Sequence, residues 1–148
     1  WPCATVGILA ILAWNGVGGT EAHERATGHP TAKSGTASWY SSSETCRVNP
    51  DPACPTASGL SLFDLEARGV LFAASYAYPL GTRLRVRVSD SAAPAIRRQS
   101  AQSVVVTVLD RGPHPRLGRV LDLSKSAFAK LAPLSQGIVQ VEIEAVKP

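Results

Sequence analysis

Hydrophobic and polar residues alternate along several short segments of the chain with the period of two that is typical of β-strands. Residues 83–88 place arginines on one face and Leu or Val on the other, and residues 36–40 and 138–146 alternate less strictly. Residues 104–109 form a continuous, mostly β-branched run, which favours a strand buried on both faces. The pattern therefore predicts a mainly β domain.

Two short helices are predicted between these strands from their start and stop signals. Ser61 precedes the first, residues 62–66, and Gly69 ends it, while Ser124 precedes the second, residues 125–131. Glycine and proline separate the elements from one another. A mainly β chain with two short helices is most simply a small barrel.

The beginning of the chain differs in composition from the rest. Residues 1–14 are apolar and uncharged, a small-residue step follows, and the sequence contains no methionine, so we treat residue 1 as a truncation point. Residues 1–22 are typical of a truncated secretory signal peptide, with an uncleaved N-terminal anchor or a buried helix as alternatives. We expect residues 23–34 to be a linker and residues 35–146 the folded domain. The protein is then exported, to the periplasm, the cell envelope or the exterior.

Cys46 and Cys54 flank a turn-rich segment with two prolines. In an oxidising compartment this spacing predicts a small disulfide-closed loop, with two free thiols as the alternative. A zinc site needs four ligands, whereas the sequence has no C-x-x-C and its three histidines are scattered. We expect no metal and no cofactor.

The net charge of +4 is unevenly distributed, since eight arginines but only two aspartates lie between residues 83 and 119. Such a basic stretch attracts anionic polymers, including nucleic acid, acidic lipid and cell-wall polymers. Nucleic acid is disfavoured because the arginines are not interleaved with aromatic residues and the export signal points away from the cytoplasm. The sequence also lacks a phosphate-binding glycine loop and a Ser/His/Asp set.

Asp110 is the first candidate for chemistry. It follows the buried run 104–109 and precedes the Gly112-Pro113 turn. A carboxylate at the exit of a buried strand is held on a rigid scaffold and presented at the surface, as a catalytic acid requires. The structural alternative is that Asp110 caps the turn and pairs with Arg111.

Seven short motifs follow one another along the domain: GTASWY at 35–40, TASG at 56–59, FAA at 72–74, PLGT at 79–82, DRGP at 110–113, RVLDLS at 119–124 and a closing strand at 137–144. Their order and spacing resemble those of the RlpA family (rare lipoprotein A, septal ring lytic transglycosylase). The resemblance covers residues 35–146 and implies a six-stranded double-psi β-barrel, a fold shared with expansins and barwin-like proteins.

For activity, the resemblance implies cleavage of peptidoglycan glycan strands without water, leaving an anhydro sugar end. The 6-hydroxyl of the substrate replaces water as nucleophile, so one carboxyl group can act first as acid and then as base. Asp110 occupies the family's catalytic aspartate position. We expect a monomer that binds peptidoglycan, with no nucleic acid and no membrane-spanning partner.

Two positions depart from the family pattern. Enzymes of the family carry Glu directly after TASG and His directly after the Ala-Ala pair, where this chain has Leu60 and Ser75. Leucine cannot transfer a proton, and serine only exchanges hydrogen bonds. Asp64 or Glu66 could supply a carboxyl group, although capping or solvated roles are favoured for both. The alternative functions are a non-catalytic peptidoglycan-binding or expansin-like wall-loosening module, and an interaction module without a glycan role.

The remaining candidates are expected to bind substrate or support the site. Trp39 and Tyr40 suit sugar stacking, with core packing of one of them as the alternative. Asp122 is expected to accept backbone N–H groups at a helix start or to pair with Arg111. The arginines either bind substrate carboxylates or hold Asp110 as a paired anion. The predicted substrate contacts are Trp39, Tyr40, Ser75, Arg111 and Arg116, and the predicted structural residues are Thr56, Gly59, Leu60, Gly112, Pro113 and Asp122.

Overall fold

Six strands close into a barrel in the computed structural model, which describes residues 32–48, 51–101 and 103–147. The order around the barrel is β1-β5-β2-β4-β3-β6. The pairs β1/β5 and β2/β4 are parallel, and the other four pairs are antiparallel. The six-stranded barrel is thereby confirmed. The strands are β1 (Lys33–Tyr40), β2 (Phe72–Ala74), β3 (Arg83–Val88), β4 (Val104–Asp110), β5 (Arg119–Ser124) and β6 (Ile138–Ala145).

The alternating pattern of β3 corresponds to its two faces, as predicted. Its Leu and Val side chains are buried and its arginines are exposed. Arg85 lies opposite Glu144 on β6, with 3.4 Å between Nη1 and Oε2, and Arg87 forms an ion pair with Glu142. Opposite charges on neighbouring strands stabilise the sheet modestly, by about 0.2–1 kcal/mol per pair.

β1 begins earlier than predicted. Lys33 and Ser34 pair with Ile143 and Glu142 on β6, so the last residues of the predicted linker 23–34 belong to the barrel. The predicted signal segment 1–22 lies outside the described residues.

The described residues contain four α-helices, two more than were predicted. The two predicted helices are present: Ser61 accepts the backbone N–H of Asp64, and Ser124 accepts that of Ala127. The two other helices bury no residue, so their sequences contain no apolar stripe from which a helix could be predicted. None of the helices in the described part of the chain is long and apolar enough to cross a bilayer. The helices are α1 (Ser42–Thr45), α2 (Leu62–Ala67), α3 (Pro94–Gln99) and α4 (Lys125–Leu131).

Buried side chains form two clusters. The larger one combines residues of all six strands with α4, including Leu84, Leu121 and Phe128. The smaller one contains Cys54, Leu62, Leu65 and Phe72 and lies beneath α2. The predicted disulfide is confirmed, because Cys46 and Cys54 are bonded with their Cα atoms 5.5 Å apart. The disulfide ties the segment after α1 to this smaller cluster, beside the end of β4.

Candidate active site

A cavity of about 260 Å³ opens where β4 ends, and we call it the acidic cavity. Asp110, the last residue of β4, and Asp122, on β5, both line it together with Tyr40, the last residue of β1. Its remaining lining residues are Thr45, Ala74, Arg111, Gly112, Pro113 and His114.

Strand register explains why two carboxyl groups meet in this cavity. Ala74 on β2 pairs with Asp110 on one side and with Asp122 on the other. Neighbouring strands are spaced by about 4.8 Å, so the Cα atoms of the two aspartates lie about 10 Å apart. The small side chain of Ala74 between them leaves the space that forms the cavity.

Three donors hold the carboxylate of Asp110. Its Oδ1 accepts the backbone N–H groups of Ala57 at 2.9 Å and Arg111 at 2.8 Å, and its Oδ2 accepts the hydroxyl of Tyr40 at 3.1 Å. A carboxylate has about four lone-pair sites, so one acceptor position remains for a further donor. The orientation of Asp110 is therefore fixed from both oxygens.

The predicted structural residues Thr56 and Gly59 form the turn that supplies one of these donors. The Gly59 N–H donates to the Thr56 carbonyl at 2.8 Å, and Gly59 has φ +83°, a conformation that suits glycine. The Ser58 N–H donates to the Leu109 carbonyl at 3.0 Å, which docks the turn on the end of β4. The turn thereby places the Ala57 N–H against Asp110.

Tyr40 positions Asp110 from the other side. Its ring lies edge-on against Phe72, with 5.8 Å between the ring centroids. Burial and the neighbouring Asp110 carboxylate raise the pKa of the Tyr40 phenol far above its ordinary value. The phenol therefore keeps its proton and donates it in the hydrogen bond to Asp110.

Asp122 favours its protonated form more than an ordinary aspartate does. Burial raises its pKa, and the Asp110 carboxylate adds to the rise. The hydroxyl of Ser38, which donates to Asp122 Oδ1 at 2.6 Å, and the charge of Arg119 oppose this rise. The cavity thus contains the Asp110 carboxylate, held by three donors, and the Asp122 carboxyl group, which retains its proton more readily than an ordinary aspartate does.

Neither of the contacts expected for Asp122 is present. Ser124, rather than Asp122, caps α4, and the Arg111 guanidinium donates to the carbonyl oxygens of Ser75 at 2.7 Å and Tyr78 at 2.8 Å. None of the ion pairs in the described part of the chain joins the Arg111 side chain to Asp110. The role of Arg111 in the structure is to fix the loop between β2 and β3.

Trp39 does not line the acidic cavity. Successive residues of a strand point to opposite faces, so Trp39 and Tyr40 diverge. The Trp39 indole N–H donates to the Leu134 carbonyl at 3.1 Å, and the ring packs against the larger cluster beneath Lys125. Core packing, the alternative for one member of this pair, therefore describes Trp39.

Two further predicted contacts lie away from the cavity surface. Ser75 is fully buried; its hydroxyl accepts the Ala77 N–H, and its own N–H donates to the Asp110 carbonyl. This placement is at odds with a contact between the Ser75 side chain and substrate. Arg116 is exposed on the 3-10 turn Pro115–Leu117 and does not line the acidic cavity.

Thr45 and His114 line the cavity and were not among the predicted site residues. His114 Nδ1 accepts the Arg116 N–H at 3.2 Å, so in the neutral ring the proton lies on Nε2. The position of His114 shortly after Asp110, on the same turn, was a usable signal. No sequence signal marked Thr45, because the helix that carries it, α1, buries no residue and so shows no hydrophobic pattern from which it could be predicted.

A family model described as lytic transglycolase matches residues 32–143. The chain belongs to the RlpA-like lytic transglycosylase family. Two relatives are each named probable endolytic peptidoglycan transglycosylase RlpA. The protein from Nostoc sp. is 39% identical over 92 residues, which is 62% of this chain and 21% of the relative. The protein from Aquifex aeolicus is 33% identical over 113 residues, or 76% and 41%. This chain thus spans less than half the length of either relative.

Solved structures with the same fold support the double-psi barrel expected for an RlpA-like domain. Clavibacter michiganensis expansin matches with a TM-score of 0.54 and 22% identity, over 78% of this chain and 50% of the expansin. Streptomyces papain inhibitor matches with a TM-score of 0.52 and 24% identity, over 81% of this chain and 98% of the inhibitor. At this level of identity the similarity concerns the fold alone.

The helix that follows Leu60, α2, brings no carboxyl group to the acidic cavity. Leu60 is 48% exposed. Glu66 binds the backbone N–H and the hydroxyl of Ser42 at the start of α1 with its two oxygens, and Asp64 is exposed on α2. Neither carboxylate lines the acidic cavity. The second carboxyl group there is Asp122.

Proposed function

We propose that this domain is a peptidoglycan lytic transglycosylase in which Asp110 and Asp122 form an acid–base pair. The observation that carries the proposal is the pairing of Ala74 with both aspartates, which brings two carboxyl groups with different surroundings into one cavity. Membership of the RlpA-like family and the names of the two relatives support the substrate class.

The reaction requires one proton to be given and one to be taken. Asp122 gives its proton to the glycosidic oxygen while the bond from C1 to that oxygen breaks. Asp110 takes the proton of the substrate's 6-hydroxyl while the hydroxyl oxygen bonds to C1, and the product is a 1,6-anhydro sugar. No water is consumed. The proton gained by Asp110 returns to Asp122 within the cavity before the next turnover.

The environments of the two groups fit these roles. A proton donor must hold its proton near the working pH, which burial of Asp122 favours. A base must be ionised and oriented, and Asp110 is held by two backbone N–H groups and the Tyr40 hydroxyl. Tyr40 therefore acts as a positioning residue. Asp122 takes the place of the carboxyl group that is missing at Leu60.

The test is digestion of purified sacculi, with and without prior removal of the peptides, by the protein and by Asp110→Asn. Mass spectrometry should detect anhydro-ended fragments with the wild-type protein and none above background with the variant. Co-sedimentation of both proteins with sacculi serves as the control for binding. Equal fragment release by Asp110→Asn contradicts the assignment of Asp110.

A second candidate is a wall-binding or wall-loosening module that cleaves nothing. Leu60 and Ser75, at positions where the family's enzymes carry Glu and His, favour it. A structural neighbour, a mutant of Clavibacter michiganensis expansin of which half matches this chain, was solved in complex with cellohexaose, so that protein binds a glucan oligosaccharide. Co-sedimentation without any anhydro-ended fragments would select this function.

We also propose that the domain works outside the cytoplasm as a monomer, with peptidoglycan as its partner. The disulfide between Cys46 and Cys54 supports export, because such bonds persist in oxidising compartments. Fractionation of cells that produce the protein tests the location, with a periplasmic, envelope or secreted fraction expected. Recovery in the cytoplasm alone contradicts it.

A further inference from the structure

A second cavity, of about 210 Å³, lies beside the acidic cavity, and the two share Gly112 and Pro113 as lining residues. Lys33, Arg119 and Tyr76 line this second cavity as well, and we call it the cationic cavity. Two cavities of opposite charge therefore meet at one turn. A chain-like ligand that occupies one of them is placed to reach the other.

The two cations of this cavity have unused binding capacity. Lys33 is exposed at the start of β1 and forms no ion pair with an acidic group among the described residues. The Nε of Arg119 is buried and has no hydrogen-bond acceptor in the described part of the chain. A buried donor without an acceptor is destabilising. The Arg119 side chain therefore loses no Nε hydrogen bond if it turns toward a carboxylate in the cavity.

Two exposed arginines of the barrel, Arg85 and Arg87, lack this capacity. Arg85 and Arg87 on β3 already pair with Glu144 and Glu142 on β6. The pairing satisfies their charge across the sheet. The cationic cavity thus differs from the exposed face of β3 that carries Arg83, Arg85 and Arg87, which we call the arginine face, although both are basic in sequence.

Tyr76 adds an aromatic surface to the cationic cavity. Tyr76 is 61% exposed. It follows Ser75, whose carbonyl oxygen accepts a hydrogen bond from the Arg111 guanidinium. The loop that carries the ring is therefore anchored on both sides, at the carbonyl oxygens of Ser75 and Tyr78. An exposed ring on an anchored loop suits the apolar face of a sugar.

We propose that the cationic cavity is a carboxylate-binding subsite, in which Lys33 and Arg119 hold a carboxylate of the glycan strand while a neighbouring sugar occupies the acidic cavity. The inference rests on the proposed function. Every second sugar of peptidoglycan carries a lactyl group, whose carboxylate is free in a strand stripped of peptides and amide-linked in a peptide-bearing strand. In the second case the available carboxylates belong to the peptide.

Equilibrium binding to three oligosaccharides of equal length tests this subsite. The probes are a neutral N-acetylglucosamine oligomer, a peptidoglycan oligomer without peptides, and one with peptides. The Asp110→Asn protein is used so that no probe is cleaved. Wild-type protein should bind the neutral probe with the same affinity as the variant, which checks that the variant is folded. Tighter binding of the peptide-free oligomer identifies the lactyl carboxylate, whereas tighter binding of the peptide-bearing oligomer identifies a peptide carboxylate.

Lys33→Gln, made in the same background, should weaken binding of the preferred acidic probe roughly fivefold and leave the neutral probe unchanged. Lys130→Gln removes another exposed lysine, on α4, and should change the binding of neither probe. Arg119→Gln should act in the same direction as Lys33→Gln, and Tyr76→Ala should weaken all three probes.

The failures of the two proposals are distinguishable. Equal binding of acidic and neutral probes, or a preference that Lys33→Gln and Arg119→Gln leave intact, overturns the subsite and leaves the proposed function standing. Absence of binding to every probe by both wild-type and Asp110→Asn protein overturns the subsite and the proposed function together.

Discussion

The barrel brings charged residues of nearby strands together in two opposite ways. On the face formed by β3 and β6, Arg85 and Arg87 lie opposite Glu144 and Glu142, so each charge has a partner of the other sign. At the acidic cavity, β2 separates two aspartates by a single small residue, so like charges are brought together.

The comparison separates charges that serve stability from charges that serve chemistry. Opposite charges across strands are modestly stabilising, whereas two carboxylates in one cavity disfavour their doubly ionised state. The second arrangement is useful because it sets apart a group that holds a proton from a group that accepts one. Substitutions at the acidic cavity should therefore lower activity more than stability, whereas substitutions on the face formed by β3 and β6 should lower stability slightly and leave activity unchanged.

The largest effect is expected from Asp122→Asn. Asparagine cannot give a proton, so the rate of anhydro-end release should fall by roughly 10²–10⁴-fold. Its amide oxygen can still accept the Ser38 hydroxyl, and a buried charge is removed, so stability near neutral pH should be equal or higher. Muropeptide analysis and urea unfolding measure the two properties. A variant that is inactive because it is unfolded would not support the interpretation.

Loss of the disulfide comes next. The double variant Cys46→Ser, Cys54→Ser should lose about 2–3 kcal/mol of unfolding free energy, since the unfolded chain is no longer cross-linked. Activity should fall as well, because the smaller cluster supports the turn that donates to Asp110. Urea unfolding with and without a reductant checks this. The reductant should destabilise wild-type protein and leave the double variant unchanged.

Tyr40→Phe should have a smaller effect, concentrated on activity. It removes one of the three donors to Asp110, and we expect a loss of about 1 kcal/mol of stability and roughly a tenfold loss of rate. Tyr78→Phe is the matched control, because its hydroxyl makes no hydrogen bond to Asp110. Equal effects of the two variants on the rate would remove the positioning role of Tyr40.

The smallest effect is expected on the arginine face. Glu142→Gln breaks an exposed pair with Arg87 and should cost less than about 1 kcal/mol, with unchanged release of anhydro ends. Glu144→Gln, whose partner Arg85 is 3.4 Å away, should cost still less. Urea unfolding and the sacculus assay measure both. A large loss of activity in either variant would erase the contrast between the two surfaces.

Local sequence patterns predicted the parts of the fold that have a local cause. β3 has the bounds that its alternation predicts, and α4 has the bounds that its Ser124 cap and apolar face predict. β2 has only three residues, too few to show alternation, and α1 and α3 bury nothing. The position of β2 depends on its pairing with β4 and β5, which are distant in the sequence.

The candidate site likewise has one part that the local sequence predicts and another that depends on residues distant in the sequence. Asp110 was predicted because it ends a buried strand, a feature visible within a few residues. The role of Asp122 was not, because its hydrogen-bond partner Ser38 is 84 positions away and is brought close by the parallel pairing of β1 with β5. The divergence of Trp39 and Tyr40 was predictable from strand alternation alone.

The pH dependence of activity is the direct test of Asp122 as the proton donor. The measurement is the rate of anhydro-end release from peptide-free sacculi between about pH 4 and 8, with the folded fraction followed by circular dichroism. Asp122 must be protonated to act, so the rate should fall as pH rises through its raised pKa.

Stability must be followed in parallel because the same shift affects it. The folded state binds the Asp122 proton more tightly than the unfolded state, so this contribution to stability is present below the ordinary aspartate pKa and is lost as pH rises through the raised value. Asp122→Asn should lack this loss. We expect the rate to fall while wild-type protein stays folded. A rate that does not fall with rising pH, or an Asp122→Asn variant with wild-type activity, would contradict it.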